Sequence, residues 1–225
     1  MKIEFISGFE NSEARDRLVG ALEESNFNCQ EFLVSPTDLG IPNSRLRYYL
    51  IASKDAFKFP QQNGLIDNFK TFQAIAPFPQ FGTKICEYLE TLASFDEYKI
   101  KDELLLKRAE VIDIITPESE RSCCITKSYG RYAEGTGSIL QQSGDLDLAY
   151  QRFRALDQDN SEERLKVLDE LKLRYLTPRE ISRLMGFPET FQFPQDTPLL
   201  HCYRVLGNSL NVAVVGYLLK LLMMK

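Results

Sequence analysis

The sequence predicts an α/β fold, and three features carry that reading. Residues Asn11 to Ser25 have helical periodicity. Two short β-type runs follow, "QEFLVS" (Gln30–Ser35) and "RYYLIAS" (Arg47–Ser53), joined by the turn-rich "PTDLGIPNS". A capped helix and a long apolar segment close the chain. A helix feeding two strands through a loop suits the edge of an α/β sheet.

The elements follow in order. Asn11 or Ser12 caps the first helix, and Ala14, Leu18, Ala21 and Leu22 make its apolar face. Pro36, Gly40 and Pro42 break the chain between the two strands. After Lys54 the texture changes: "KFPQQNGLIDNFKTFQAIAPFPQFG" is rich in Phe and Pro and has no sustained period, as expected at the entry to an irregular lobe. A short helix is expected over Thr83–Leu92, a strand in "EVIDIITP", and a solvated helix over Ser161–Leu173 with Leu165, Leu168 and Leu171 inward. "RYLTPREISRLMGFP" reads as a complete helix: Thr177 caps it, Pro178 takes the first position, Glu180 closes a capping box and Gly186 ends it. "YRVLGNSLNVAVVGYLLKLL" predicts a Gly-Asn-Ser turn into a last helix that buries Val212, Val215, Leu218, Leu219 and Leu222.

Composition narrows the function classes. The 225 residues are 44% hydrophobic and 26% charged with net charge -5, an ordinary globular balance that argues against nucleic-acid binding through bulk positive charge but leaves room for a local basic patch. The opening "MKIEFISGFENSE" lacks the apolar core of a signal peptide. The tract Val205–Met224 is interrupted by Asn208, Ser209, Asn211 and Lys220, which favours a buried helix over a membrane span. Five cysteines, an odd number, with one histidine and no C-x-x-C pair, fit free thiols in a reducing compartment and no metal site. The expected location is cytoplasmic, with the nucleus also open.

Three stretches could carry chemistry. Arg45 and Arg47 stand two apart at the mouth of the second strand, so their side chains share a face. Guanidinium forks on a rigid strand suit phosphate or a base carbonyl; the alternative is a pair of surface arginines on an edge strand. In "RSCCITKSYGRYAEGTGS" the cations Arg121, Lys127 and Arg131 interleave with Tyr129 and Tyr132. That mixture suits single-stranded or loop nucleic acid, whose phosphates meet cations and whose bases stack on rings. It fits a Gly-rich surface loop equally well. "GNS" (Gly207–Ser209) offers polar groups at a helix N-terminus, although its spacing alone favours plain capping by Asn208 or Ser209. His201 and Cys202, neighbours in sequence, do not make a convincing catalytic pair.

Taken in order, "SGFENSEARD", "QEFLVSPTDLGIPNSRLRYYLIA", "LLLKRAEVIDII", "CCITKSYGRYAEGTGS", "LKLRYLTPREISRLMGFP" and "YRVLGNSLNV" resemble the C-terminal two-thirds of Dnmt2-type enzymes. That group has the architecture of DNA cytosine-5 methyltransferases and methylates a cytosine in the anticodon loop of tRNA-Asp. The resemblance implies an incomplete Rossmann-like class I methyltransferase domain with an inserted irregular target-recognition lobe. It places partial catalytic domain at 1–54, target recognition at 55–170 and the C-terminal part of the catalytic domain at 171–225. It implies S-adenosyl-L-methionine as cofactor and tRNA as partner.

In the family a cysteine thiolate attacks C6 of a flipped cytosine, a glutamate steadies the N3/N4 edge, and C5 takes the methyl group. By resemblance Arg45 and Arg47 organise that pocket, and Asn43 stands where the DNA enzymes carry glutamine. The glutamate of the Glu-Asn-Val motif falls on Glu4, with Phe5 and Ile6 in place of Asn-Val. The Cys-Phe-Thr signature becomes Cys124-Ile125-Thr126, which with Lys127, Tyr129 and Arg131 borders the RNA. Asn208 and Ser209 match the last motif, beside the cofactor.

The departures are specific. The Phe-x-Gly-x-Gly cofactor strand and the Pro-Cys-Gln nucleophile loop are absent, and no Pro-Cys dipeptide occurs anywhere. Cys29-Gln30 imitates two letters of that loop but follows the Gly8-Phe9-Glu10 segment instead of preceding it. The expectation is a truncated homologue, inactive alone, whose missing half another polypeptide could supply. The alternatives are a non-catalytic RNA-binding or regulatory fragment, and an unstable product with no function of its own.

Overall fold

The structure is a computed structural model that describes residues 2–4, 8–61, 64–69, 77 and 79–224. In chain order the first elements are β1 (Lys2–Glu4), α1 (Glu13–Glu24), β2 (Asn28–Val34), β3 (Arg47–Ser53), β4 (Leu65–Ile66), α2 (Asp102–Arg108) and β5 (Ile114–Ile115). Then come β6 (Ile139–Gln141), α3 (Leu146–Ala155), α4 (Ser161–Asp169), β7 (Leu173–Arg174), α5 (Pro178–Leu184), α6 (Leu199–Asn208) and α7 (Val212–Leu222). The chain forms two compact units, one of Met1–Phe81 with Asn211–Lys225, the other of Gly82–Leu210. These joints differ from the expected 54/55 and 170/171. β4 pairs with β2 and so keeps residues beyond 54 in the first unit, while β7 pairs with β6 and holds the chain after 170 in the second.

The first unit is built on a four-stranded sheet in the order β1-β3-β2-β4. β3 runs antiparallel to both β1 and β2, and β2 pairs parallel with β4. Tyr48, Tyr49, Leu50 and Ile51 are all buried, as expected of a strand covered on both faces. On one face Tyr48 and Leu50 join Phe9, with Leu18, Val19 and Leu22 of α1 packed against them. On the other face Phe32, opposite Tyr49 in register, packs on Phe69, whose ring lies 5.2 Å from Tyr217 of α7.

Ser12 caps α1 by accepting from the Arg15 N–H at 3.2 Å, but Ala14 and Ala21 face solvent. The packed stripe, half-buried Leu18, Val19 and Leu22, is narrower than expected because the larger side chains take the contact with the sheet. One ion pair fixes the helix. Arg15 Nε donates to Glu31 Oε1 at 2.7 Å, its Nη2 donates to Oε2, and the Tyr48 hydroxyl donates to the same carboxylate at 2.6 Å. Glu31 is 4% exposed.

The second unit holds a small sheet in the order β5-β6-β7, parallel between the first pair and antiparallel between the second. The helix expected at 83–92 is only a 3-10 turn, Ile85–Tyr88. The helix begun at Ser161 stops at Asp169, and Lys172, at φ 48°, turns the chain into β7. Leu168 and Leu171 are buried as expected, with Val167 beside them. The α5 caps are as read: Thr177 Oγ1 accepts from the Glu180 N–H at 3.1 Å, and the Glu180 carboxylate accepts from the Thr177 N–H at 2.8 Å. Glu180 does more than cap. Its two oxygens accept from Arg174 Nη1 and Nη2, both at 2.7 Å, and from the Glu90 N–H at 3.1 Å. The pair is 2% and 0% exposed, and the Phe95 ring lies 4.0 Å from the Arg174 guanidinium carbon.

Leu199–Leu222 is long and apolar enough to cross a membrane by length and composition. It is two helices parted by Ser209, Leu210 and Asn211, and each buries one stripe: Cys202, Tyr203 and Leu206 on α6, Val214, Tyr217, Leu218 and Leu221 on α7. The expected face of α7 holds in part: Leu218 is buried and Val215 and Leu222 are half-buried, but Val212 and Leu219 are both 37% exposed. Nearly every position of this helix is apolar, so periodicity alone does not choose a face.

Two outcomes follow. Glu180→Gln leaves Arg174 buried without its counter-charge, and chemical denaturation should show a loss of about 3–5 kcal/mol. Lys166→Ala, on an exposed ion pair, should leave the midpoint where it is. Burial pushes Tyr49, Tyr88 and Tyr217 up to about 12, above the unfolded value near 10. The native state then holds protons that the unfolded chain releases, so stability should be full below about pH 10 and decline as pH rises toward 12. Equilibrium unfolding across that range, with phenolate absorbance as the second signal, measures it.

Candidate functional site

The arginine pair sits on a loop that its own polar groups hold. Pro36–Leu39 forms a 3-10 turn, and Gly40, at φ +85°, ends it. The Ser35 N–H donates to Asp38 Oδ2 at 2.8 Å, and Ser35 Oγ accepts from Thr37 Oγ1 at 2.8 Å and from the Arg45 N–H at 3.2 Å. Asn43 and Arg45 are 2% and 4% exposed. Only Arg47 lies in β3; Arg45 precedes it outside any regular element. Arg47 Nη1 donates to the Leu46 carbonyl at 2.7 Å. Both guanidinium groups pull the Tyr49 phenol down against the larger upward effect of burial. Strand alternation places Arg47 and Tyr49 on one side of β3, and Arg45, outside the strand, is close enough for its charge to act on Tyr49. Glu4 ends β1 with its backbone opposite Tyr48; Phe5 and Ile6 lie outside the described residues.

In the second unit the segment Arg121–Ser138 divides by exposure. Lys127, Arg131 and Tyr132 are exposed, and Cys124 and Thr126 are half-buried. Tyr129 is the correction. It is 1% exposed, its hydroxyl donates to the Ser138 carbonyl at 2.7 Å and accepts from the Leu176 N–H at 2.9 Å, and its ring meets Tyr175 and Tyr203 edge-on at 5.1 Å each. Such a ring is core and presents no face for stacking. The ring available in this loop is Tyr132, 63% exposed. An irregular loop has no period that separates inward from outward tyrosines, so sequence could not choose between them.

The Gly-Asn-Ser motif also stands differently from its reading. Gly207 and Asn208 end α6, Ser209 is its C-cap, and Ser209 Oγ donates to the Leu206 carbonyl at 2.9 Å. The next helix is capped by Asn211, whose Oδ1 accepts from the Val214 N–H at 3.2 Å. The signal was present, since an Asn one position before an apolar run is a standard N-cap. Asn208 is exposed, so its amide is available to a polar ligand, whereas the Ser209 hydroxyl already serves the helix end. Gly207 backs directly onto the peptide between Thr126 and Lys127, bringing two of the sequence motifs into contact.

The cysteines give no activated thiolate among those whose titration is displaced. Burial pushes Cys29, Cys123 and Cys202 up, and Glu23 and Glu31 add to the effect at Cys29. A nucleophilic thiol needs the opposite displacement. His201 and Cys202 diverge: the histidine is exposed with Nδ1 3.0 Å from Arg204 Nη2, and the cysteine is buried.

The comparisons with known proteins agree with one another. The family described as C-5 cytosine-specific DNA methylase matches residues 3–223. A Bos taurus protein named tRNA (cytosine(38)-C(5))-methyltransferase is 38% identical over 98% of this chain and 70% of its own length. A Dictyostelium discoideum protein named DNA (cytosine-5)-methyltransferase is 37% identical over 98% of this chain and 64% of its own. The crystal structure of a Spodoptera frugiperda DNMT2 mutant superposes with a TM-score of 0.83 at 36% identity, covering 97% of this chain and 65% of that one. The chain thus spans about two thirds of the length of these relatives. It shares their Rossmann-like methyltransferase fold, and it belongs to the C-5 cytosine methyltransferase family as a Dnmt2-type member.

Proposed function

We propose that these residues form the base-handling and RNA-facing part of an S-adenosylmethionine-dependent tRNA cytosine-5 methyltransferase acting on an anticodon-loop cytosine. The observation that carries this reading is the exposed group Lys127, Arg131 and Tyr132, two cations and a ring on the loop that bears the Cys124-Ile125-Thr126 signature. An unstacked loop offers phosphates to the cations and a base face to the ring. Arg45 and Arg47 hold the flipped cytosine and its backbone, and Glu4 steadies its amidine edge. S-adenosylmethionine supplies the electrophilic methyl group, and the exposed Asn208 amide and the Ser209 turn border it. They make one edge of that site and not a whole pocket.

The nucleophile is the decisive element. Attack at C6 needs a thiolate, the 225 residues contain no Pro-Cys dipeptide, and burial pushes the Cys29 thiol up, away from the thiolate form. In this reading the residues described bind and position RNA, and a polypeptide carrying the Pro-Cys-Gln loop completes the chemistry. The second reading, a non-catalytic RNA-binding or regulatory fragment, rests on the same exposed cations, which need no nucleophile to act.

The purified 225-residue chain, given labelled S-adenosylmethionine and tRNA, should incorporate no label; transfer above background refutes the division of labour. Adding a polypeptide with the Pro-Cys-Gln loop should restore transfer if the enzymatic reading holds, and should change nothing if the chain is a binding fragment. Lys127→Ala with Arg131→Ala should weaken tRNA binding and flatten its salt dependence by about 0.7 for each phosphate no longer neutralised. Tyr132→Ala should cost about 1–3 kcal/mol of binding by removing the stacking ring. Affinity titrations at several salt concentrations test both, and an unchanged slope in the double variant would remove the RNA reading.

A further inference from the structure

Gly207 matters for what its missing side chain leaves room for. A Cβ there would stand 2.2 Å from the Thr126 carbonyl carbon, 2.3 Å from the Lys127 nitrogen and 2.4 Å from the Thr126 oxygen. All three are backbone atoms, so no rotamer change relieves the collision; the helix or the loop must move. The same helix supports the loop at a second point. A Cβ on Gly130, at φ +78°, would come 2.7 Å from the Tyr203 ring and 3.2 Å from Leu200 Cδ2. Residues 200, 203 and 207 recur at helical spacing and so share one face of α6. That face carries the segment from Thr126 to Gly130, and exposed Lys127 and Arg131 are borne on it. On its other side the segment is held by the Thr126 N–H to the Thr136 carbonyl at 2.8 Å and by the Tyr129 hydroxyl to Ser138.

We propose that Gly207 is a positioning residue for RNA recognition. It seats the Thr126–Lys127 peptide, and through that contact it sets the direction in which Lys127 leaves the loop. The motif that ends α6 therefore does two jobs at adjacent positions. Asn208 faces outward toward a polar ligand, and Gly207 faces inward under the RNA-facing loop. This inference rests on the RNA reading of the loop given above.

The test compares Gly207→Ala, Lys127→Ala and the double variant in tRNA titrations from low to moderate salt. Lys127→Ala should lower the salt slope by about 0.7. Gly207→Ala should lower it by the same amount, and the double variant should be no worse than Lys127→Ala, because both withdraw the same cation from the same phosphate. A glycine variant that keeps the wild-type slope, or whose effect adds fully to that of Lys127→Ala, overturns the inference and leaves the RNA reading intact. An unchanged slope in Lys127→Ala overturns the inference, and an unchanged slope in the Lys127→Ala/Arg131→Ala variant overturns the RNA reading as well. If Gly207→Ala does not melt cooperatively, the unmodified chain carries the test by hydrogen exchange. Bound tRNA should slow exchange at residues 205–209 together with 126–132; protection confined to the loop overturns the seat.

Discussion

Each unit is organised around one buried carboxylate whose charge had to be answered in full. Glu180, fully buried, accepts four hydrogen bonds, two from the Arg174 fork and one each from the Thr177 and Glu90 backbones. Glu31 accepts three, two from Arg15 and one from Tyr48. Removing such groups from water costs several kcal/mol per ion, and only close, multiple, charge-assisted bonds offset it. The partners therefore have little freedom. Arg174 fixes where β7 meets α5, Glu90 ties in the chain ahead of α2, and Arg15 sets how α1 lies on its sheet. Apolar packing fills the space around these pairs, as Phe95 does over Arg174, but it would tolerate several arrangements that the ion pairs do not.

The residues offered for function stand on this framework by two different means. Arg45 is held by its backbone, through the Ser35 hydroxyl, while its neighbour Arg47 is carried on a strand buried along most of its length. The loop in the second unit has no such strand. It is shaped by close approach, with glycines at 130, 137 and 207 admitting side chains or backbone that any Cβ would exclude, and with Tyr129 plugged beneath it. Precision in a loop then comes from what packs under it, and the exposed Lys127, Arg131 and Tyr132 inherit that precision.

Legibility followed locality. The strand Arg47–Ser53 and the cap of α5 were readable to the residue, because a continuous apolar, aromatic run after a turn-rich loop and the Thr-Pro-x-Glu signal are local physics. Strand geometry applied to Arg47 alone, because β3 begins there and Arg45 lies ahead of it. The α7 face was read only in part, with Leu218 inward but Val212 and Leu219 exposed, because an almost uniformly apolar helix has no polar face to mark its outside. The break between α6 and α7 was placed two residues early because Asn208, Ser209 and Asn211 are all competent caps, and only the surrounding chain selects Asn211. Tyr129 was misread because tyrosine suits both a core with a satisfied hydroxyl and a stacking surface.

The sequence by itself determined the family, the elements with strong local signals, the absence of a Pro-Cys nucleophile within these residues and the identity of the cationic positions. It did so because motif order and capping chemistry are written in adjacent residues. The tertiary structure decided which tyrosine is core and which is surface, which asparagine caps α7, and that Gly207 seats the loop at Thr126. Those outcomes depend on contacts between residues tens of positions apart, where burial and the exclusion of a single Cβ are set by what the fold brings near, and no local pattern records them.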